Sequence, residues 1–231
     1  MIVPSIGIGF DFDHTLGLDH GLELRALYDY AAELDRPLDE DDPELRAAMT
    51  TLLADFRAGM LTLESFVLVF AEQLGERGDP DRWRELCYGL VDQLVVPVDG
   101  AREMLVRLRE RAIPVAVLTN GWTPLQQKKI ARALGDAADG VTVLVSDALG
   151  AIKPAAAAFD ALVATLGVAR EHAWYVGDNP PADVAGALAA GLRAVWFDWE
   201  GSSYPQDLPP PTLRIAALRE LETLGENTYA P

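Results

Sequence analysis

The feature that most restricts how this chain can fold is a recurrence of short β-type runs: "SIGIGF" at 5–10, "IPVAVL" at 113–118, "VTVLVS" at 141–146, "AWYVG" at 173–177 and "RAVWF" at 193–197. The runs are continuously apolar rather than alternating, which suits strands covered on both faces. Between the later ones lie helix-length amphipathic stretches, "GAREMLVRLRER", "TPLQQKKIARALG", "PAAAAFDALVATLG" and "PADVAGALAAG". Strand and helix in steady alternation predict an α/β fold built on an open parallel sheet.

The interval between the first two runs breaks that rhythm. From His20 to Val95 there is no strand signal, only helical patterns: "HGLELRALYDYAAEL", "DDPELRAAMTTLLADFRAG", "TLESFVLVFAEQLG" and "DPDRWRELCYGLVDQLV". Two of them open with Asp-Pro, at Asp42-Pro43 and Asp79-Pro80, an N-cap followed by proline at the first helical position. An α-helical insert, residues 20–95, therefore interrupts a sheet domain made of 1–19 and 96–231. "VVPVDG" at 95–100 reads as the return crossing, and the Pro-rich tail from Gly201 as a surface loop followed by a helix on the sheet edge.

A chain of 231 residues fits one core domain with a smaller insert. Its formal net charge of -17 sets a field that repels nucleic acid and anionic lipid, so neither is expected as a partner. The same field opposes a phosphorylated ligand, so a phosphate site must make its own positive potential. Cys87 is the only cysteine and sits in a helical pattern, which predicts a buried, inert thiol and no disulfide. The first residues lack a basic segment followed by a long apolar one, and no run approaches membrane-span length, so a cytoplasmic setting is expected.

In an open parallel sheet, ligands lie beyond the carboxyl ends of the strands. The first run is followed by Asp11, Asp13 and Thr15; the second ends in Thr119, Asn120 and Gly121; the third leads to Lys153-Pro154; the fourth enters "GDNPPAD", with Asp178 and Asp183. Four carboxylates at one edge raise one another's pKa unless a cation joins them. Magnesium, which prefers carboxylate, carbonyl and water oxygens, is the natural candidate. Four acids, one Mg2+ and Lys153 leave one negative charge, which vanishes if one acid carries a proton, and a protonated acid beside an ionised one divides acid from base work.

"FDFDHTLG", "AVLTNG", "AIKP" and "YVGDNPPADVAGALAAG" resemble, in order, the four motifs of the haloacid dehalogenase-like hydrolase superfamily, over residues 6–198. The insert resembles its subfamily I cap. The resemblance implies a Rossmann-like core, with a cap that closes over the site and excludes water. It also implies a Mg2+-dependent phosphatase of a small phosphorylated metabolite, acting as a monomer or homodimer. Asp11 would be the nucleophile that forms an aspartyl-phosphate. Asp13 would protonate the leaving oxygen and then activate water, its backbone carbonyl also ligating the metal. Thr119 and the amide of Asn120 would grip phosphate, while Lys153 neutralises charge on nucleophile and phosphoryl oxygens. Asp178 would bind Mg2+ directly, and Asp183 would hold a metal-bound water or orient Lys153.

Asp13 also separates the chemistries within the family. An expelled alkoxide needs a proton and an expelled halide does not, so an acid two residues after the nucleophile favours phosphoryl transfer over dehalogenation. A phosphomutase on the same core, and a non-catalytic phosphate-binding protein, are the other readings. "GIGFDF" is not a dinucleotide fingerprint, because Phe12 occupies the third glycine position and an acid follows. His14 replaces the small residue usual after the second acid; packing beside the loop is the expectation, with His20 exposed and a second metal site as the alternative. Trp122 could border the substrate or cover the core. "DVAGALAAGL" reads as a helix packed closely on the sheet.

Overall fold

The computed structural model describes residues 6–224. The chain divides into two compact units, one made of the residues up to Leu18 together with those from Val96 onward, the other of Asp19–Val95. Among the described residues the strands in chain order are β1 (Gly7–Phe10), β2 (Gly17–Leu18), β3 (Val96–Pro97), β4 (Val115–Thr119), β5 (Thr142–Val145), β6 (Ala173–Gly177), β7 (Arg193–Phe197) and β8 (Leu213–Ile215). Six of them form one parallel sheet in the order β5-β4-β1-β6-β7-β8. Numbered by their sequence among themselves, that is 3-2-1-4-5-6, the Rossmann-like order. Its switch point lies between β1 and β6, where Phe10 pairs with Val176 on one side and Val117 on the other.

The smaller unit is all helix: α1 (Leu22–Glu33), α2 (Pro43–Arg57), α3 (Leu63–Gln73) and α4 (Pro80–Leu94). The Asp-Pro signals act as the residue chemistry requires. Asp42 accepts from the amides of Glu44 and Leu45, and Asp79 from those of Asp81 and Arg82, satisfying donors that have no partner inside the helix. The core of this unit is aromatic. Phe66 stacks on Phe56 at 4.9 Å and meets Trp83 edge-on at 5.1 Å. Cys87, on α4, is buried there as expected.

In the sheet unit the helices are α5 (Ala101–Glu110), α6 (Leu125–Leu134), α7 (Ser146–Leu149), α8 (Ala156–Leu166) and α9 (Gly186–Ala189). One face of the sheet buries Phe159, Leu162 and Leu166 of α8 with Leu118, Tyr175 and Trp196 of the strands. Phe159 meets Tyr175 edge-on at 5.2 Å, a geometry aromatic quadrupoles favour. Among the described residues no helix is long and apolar enough to cross a membrane.

Three elements differ from the sequence expectation. The tail adds a strand, β8, parallel to β7, before a 3-10 turn from Leu218 that packs near α5. The strand escaped notice because an edge strand needs no continuous apolar run: Leu213 and Arg214 are exposed, and Arg214 reaches back to Asp198 and over the Trp196 ring. The "DVAGALAAGL" helix is instead a π-type turn, Pro180–Ala185, running into the single turn α9. The turn opens on Asn179, whose side chain accepts from the Ala182 amide, and it carries Asp183 to Lys153. Third, β2 and β3, the strands where the chain leaves and re-enters the sheet unit, pair as a short antiparallel ribbon.

Phe159 is fully buried between helix and sheet. Phe159→Ala should lower the unfolding free energy by about 3–5 kcal/mol, read from urea unfolding followed by circular dichroism.

Candidate active site

The site grows from the end of β1. The amide of Asp11 still donates to Val176 O at 2.9 Å, so the strand ladder with β6 extends to the first acid. One residue later the chain turns sharply, because the carbonyl of Phe12 accepts from the amides of Thr15, Leu16 and Gly17. His14 takes a left-handed conformation, φ 60, in that turn and donates its amide to Gly17 O at 2.8 Å. Its side chain is exposed rather than packed beside the loop. His20 is exposed as expected.

Lys153 is the hub. Its Nζ donates to Asp11 Oδ1 at 2.6 Å, Asp183 Oδ1 at 2.7 Å and the Tyr175 hydroxyl at 2.8 Å, so all three ammonium hydrogens are engaged. Tyr175 in turn donates to Leu118 O at 2.7 Å. The backbone of Lys153 is held as firmly: Asn120 Oδ1 accepts from its amide at 2.9 Å, and Asn120 Nδ2 donates to its carbonyl at 3.1 Å. The Asn120 side chain thus ties the "AIKP" loop to the end of β4.

Asp178 and Asp183 arrive by different devices. Thr15 brackets Asp178, its Oγ1 accepting from the Asp178 amide at 3.1 Å and donating to Oδ1 at 3.3 Å, while Trp196 Nε1 donates to the Asp178 carbonyl at 3.0 Å. The π-type turn aims Asp183 inward, where its Oδ2 accepts from the Asn179 amide at 3.0 Å. A Cβ on Gly177 would lie 2.3 Å from that Oδ2, so only glycine leaves room for the carboxylate.

Asp11, Asp178 and Asp183 each offer an oxygen within 4.8 Å of the others. Among the described residues neither His14 nor His20 joins such a group. Burial, then repulsion from Asp183, Asp178 and Asp13, holds the Asp11 carboxyl well above the usual range, with Lys153 opposing. Asp178 is pushed up to about 6 by burial and by Asp183. For Lys153 burial acts downward, yet the attraction of Asp11 and Asp183 outweighs it and keeps the ammonium charged. Burial pushes the Tyr175 phenol up, so it stays protonated.

The Asp13 side chain does not face this cluster. It turns to α6, where Lys129 Nζ pairs with Oδ1 and Gln126 Nε2 donates to Oδ2 at 2.7 Å. Gln126 also donates to Thr119 Oγ1 at 3.2 Å and Asn120 O at 2.8 Å. Thr119 is buried at the end of β4, and Trp122 is buried nearby in sequence. Lys129 adds a second positive charge: four ionised acids, Lys153, Lys129 and one divalent cation sum to zero, and a proton on one acid leaves the site one positive charge to meet a phosphate.

Gln126, Lys129 and Tyr175 were not singled out from the sequence, although a signal existed. On α6 the buried positions are 125, 126, 129, 130, 133 and 134, one helical stripe, and Gln126 and Lys129 lie on it. A lysine on a buried stripe needs an acid. Likewise a tyrosine in a strand buried along its whole length needs a partner for its hydroxyl.

Residues 7–191 match the family model of the haloacid dehalogenase-like hydrolases. A phosphoserine phosphatase of Thermus thermophilus is 40% identical over 156 residues, 66% of this chain and 62% of that enzyme, so the match spans less than two thirds of that relative. The pyrimidine 5'-nucleotidase YjjG of Escherichia coli is 28% identical over 219 residues, 93% of this chain and 92% of that one. Among solved structures, the HAD-hydrolase YfnB of Bacillus subtilis superposes with a TM-score of 0.74 at 22% identity, covering 94% of this chain and 96% of that one, a likeness of fold. With strand order, strand-end residues and a family match over most of its length in agreement, this chain belongs to the haloacid dehalogenase-like hydrolases.

Proposed function

We propose that this protein is a Mg2+-dependent phosphatase that hydrolyses a small phosphorylated metabolite through an aspartyl-phosphate on Asp11. The observation that carries the reading is the contact of Lys153 Nζ with Asp11 Oδ1 beside the three-carboxylate cluster. A carboxylate so placed has a cation to neutralise charge on itself and on an incoming phosphoryl group. Relatives named as phosphatases, including the Thermus enzyme, support the phosphomonoester class.

The donor set fits the metal. Asp11, Asp178 and Asp183 offer only hard oxygens, and two of them are pushed toward protonation by burial and then by like charge, which a divalent cation would counter. When bound, Mg2+ would supply Lewis-acid charge shared by nucleophile and phosphate. The Asp13 carbonyl is the further ligand in this reading, and Asp183 doubles as the group that orients Lys153.

The remaining roles belong to the protein alone. An Asp11 oxygen attacks phosphorus, the ester P–O bond breaks, and the electron pair left on the alkoxide takes a proton from Asp13. Asp13 then accepts a proton from the water that cleaves the acyl-phosphate. Thr119 and the Asn120 amide hold phosphoryl oxygens, and the helical unit, residues 19–95, takes the place of a cap in selecting substrate. A phosphomutase would return the phosphoryl group to its product, so continuous release of inorganic phosphate separates the two readings.

A panel of phosphoserine, phosphoglycolate, glyceraldehyde 3-phosphate and a pyrimidine nucleoside monophosphate should include at least one substrate that releases phosphate with Mg2+. Release should cease in EDTA, return with added Mg2+, and fall to the blank in Asp11→Asn. Release that is equal with and without Mg2+, or unchanged in Asp11→Asn, overturns the proposal.

The metal site also implies a pH-dependent stability. In metal-free protein the Asp178 pKa is about 6, above its ordinary 3.8, so the folded state holds the proton more tightly. The resulting stability is full below about pH 4 and is lost as pH rises through 6. Asp178→Asn cannot ionise, so in EDTA its advantage over wild type should grow from pH 4.5 to pH 7.5, by on the order of 2 kcal/mol. Saturating Mg2+ should stabilise wild type by about 2–3 kcal/mol and leave Asp178→Asn unmoved, both read by urea unfolding.

A further inference from the structure

We propose that Gln126 and Lys129 are positioning residues for Asp13, a clamp on α6 made of one amide donor and one ion pair that sets where the general acid sits; this rests on the role given to Asp13 above. Both carboxylate oxygens are taken: Oδ1 pairs with Lys129 Nζ, and Oδ2 accepts from Gln126 Nε2 at 2.7 Å. Gln126 and Lys129 lie three residues apart on one face of a ten-residue helix, so a single rigid element carries both side chains. Each is almost wholly buried, at 3% and 2% exposure. An exposed ion pair would hold its partners loosely; here the lysine is buried and the Asp13 side chain 26% exposed, and the amide contact adds to the hold on its rotamer.

The orientation of the Gln126 amide follows from its neighbours. Its Nε2 faces three acceptors at once, Asp13 Oδ2, Thr119 Oγ1 and Asn120 O, and a flipped amide would set an oxygen against two of them that cannot donate. In the observed orientation Gln126 Oε1 is buried without a hydrogen-bond partner among the described residues. A buried acceptor left unpaired is unfavourable, and a purely structural position would be filled by an apolar side chain. Leaving it unpaired is the consequence of aiming the amide nitrogen at Asp13 and Thr119.

The same amide reaches Thr119. Gln126 Nε2 lies 3.2 Å from Thr119 Oγ1, which itself donates to Asn120 O at 3.3 Å, so amide and hydroxyl share the Asn120 carbonyl. Gly121, at φ 142, leaves the space, since a Cβ there would lie 2.7 Å from Gln126 Nε2. One amide therefore registers the acid and the phosphate-gripping hydroxyl against each other. Clamp residues of this kind act on both proton transfers given to Asp13, of which only protonation of the leaving oxygen differs between an alkyl and an aryl ester.

The test compares wild type, Asp13→Asn, Lys129→Met, Gln126→Met and the double variant Asp13→Asn/Lys129→Met, all full-length with saturating Mg2+. Two substrates are used: p-nitrophenyl phosphate, whose leaving group needs little protonation, and the alkyl phosphomonoester from the panel above that wild type turns over fastest. Lys129→Met and Gln126→Met should each lower kcat on the alkyl ester by about 100-fold, and on the aryl ester by about 10-fold or less, with KM nearly unchanged. The double variant should be no slower than Asp13→Asn alone, because a clamp with nothing to hold has no further effect. Equal losses on both substrates, or losses in the double variant that multiply, overturn the clamp. If Lys129→Met fails to fold by circular dichroism, Gln126→Met, which removes no charge, decides by the same ratio. If Asp13→Asn itself loses equally on both esters, it is the acid role of Asp13 that fails, a result distinct from failure of the clamp.

Discussion

Everything at the strand ends depends on one buried ammonium. Lys153 Nζ is held between Asp11 and Asp183, with the Tyr175 hydroxyl as third acceptor, and its backbone is fixed separately by Asn120. Desolvating a lysine is strongly unfavourable, and the two carboxylates, followed by Tyr175, reverse it. The dependence is mutual. Without Lys153, Asp11 and Asp183 would face each other and Asp178 without the ammonium from which both accept. The elements that supply these partners, the end of β1, the loop before α8, strand β6 and the π-type turn, are therefore locked to one another by charge as well as by the sheet.

That arrangement explains how a chain of net charge -17 can present a phosphate-compatible site. The long-range field is negative, but two lysines are buried at the switch point, each against an acid of the Asp11-x-Asp13 pair. Inside the protein such charges are screened far less than at the surface, so local potential is set by these few groups. The excess negative charge lies on the Asp11, Asp178 and Asp183 cluster, where a divalent cation fits the proposed chemistry.

The fold was legible to the extent that its signals were local. Five strands and the helices from α1 to α6 and α8 announced themselves through apolar runs, Asp-Pro caps and helical periodicity. Strand β8 did not, because an edge strand with an exposed Leu213 and Arg214 has no apolar run to display. The π-type turn at Pro180–Ala185 did not either, since it goes with the placement of Asp183 against Lys153, a tertiary contact with no local signal. Site residues at strand ends were readable because sheet topology alone gathers them. Gln126, Lys129 and Tyr175 were missed because each belongs to an element whose pattern already had a sufficient explanation, and polar atoms inside an apolar stripe are noticed only when their partners are sought.

The pair that begins the site shows why spacing alone understates what a backbone can do. In an extended strand, residues two apart point to the same face, so Asp11 and Asp13 would compete for one environment. Here the strand pairing ends at Asp11, and three amides converging on the Phe12 carbonyl turn the chain before Asp13 can continue the alternation. Phe12, fully buried, is the pivot. Asp11 faces Lys153 and Asp183; Asp13 faces Lys129 and Gln126. Two identical side chains thus acquire separate cations and separate hydrogen-bond partners through a change of backbone direction over one residue. A division of labour between nucleophile and acid needs that separation first, and differences in protonation only afterwards.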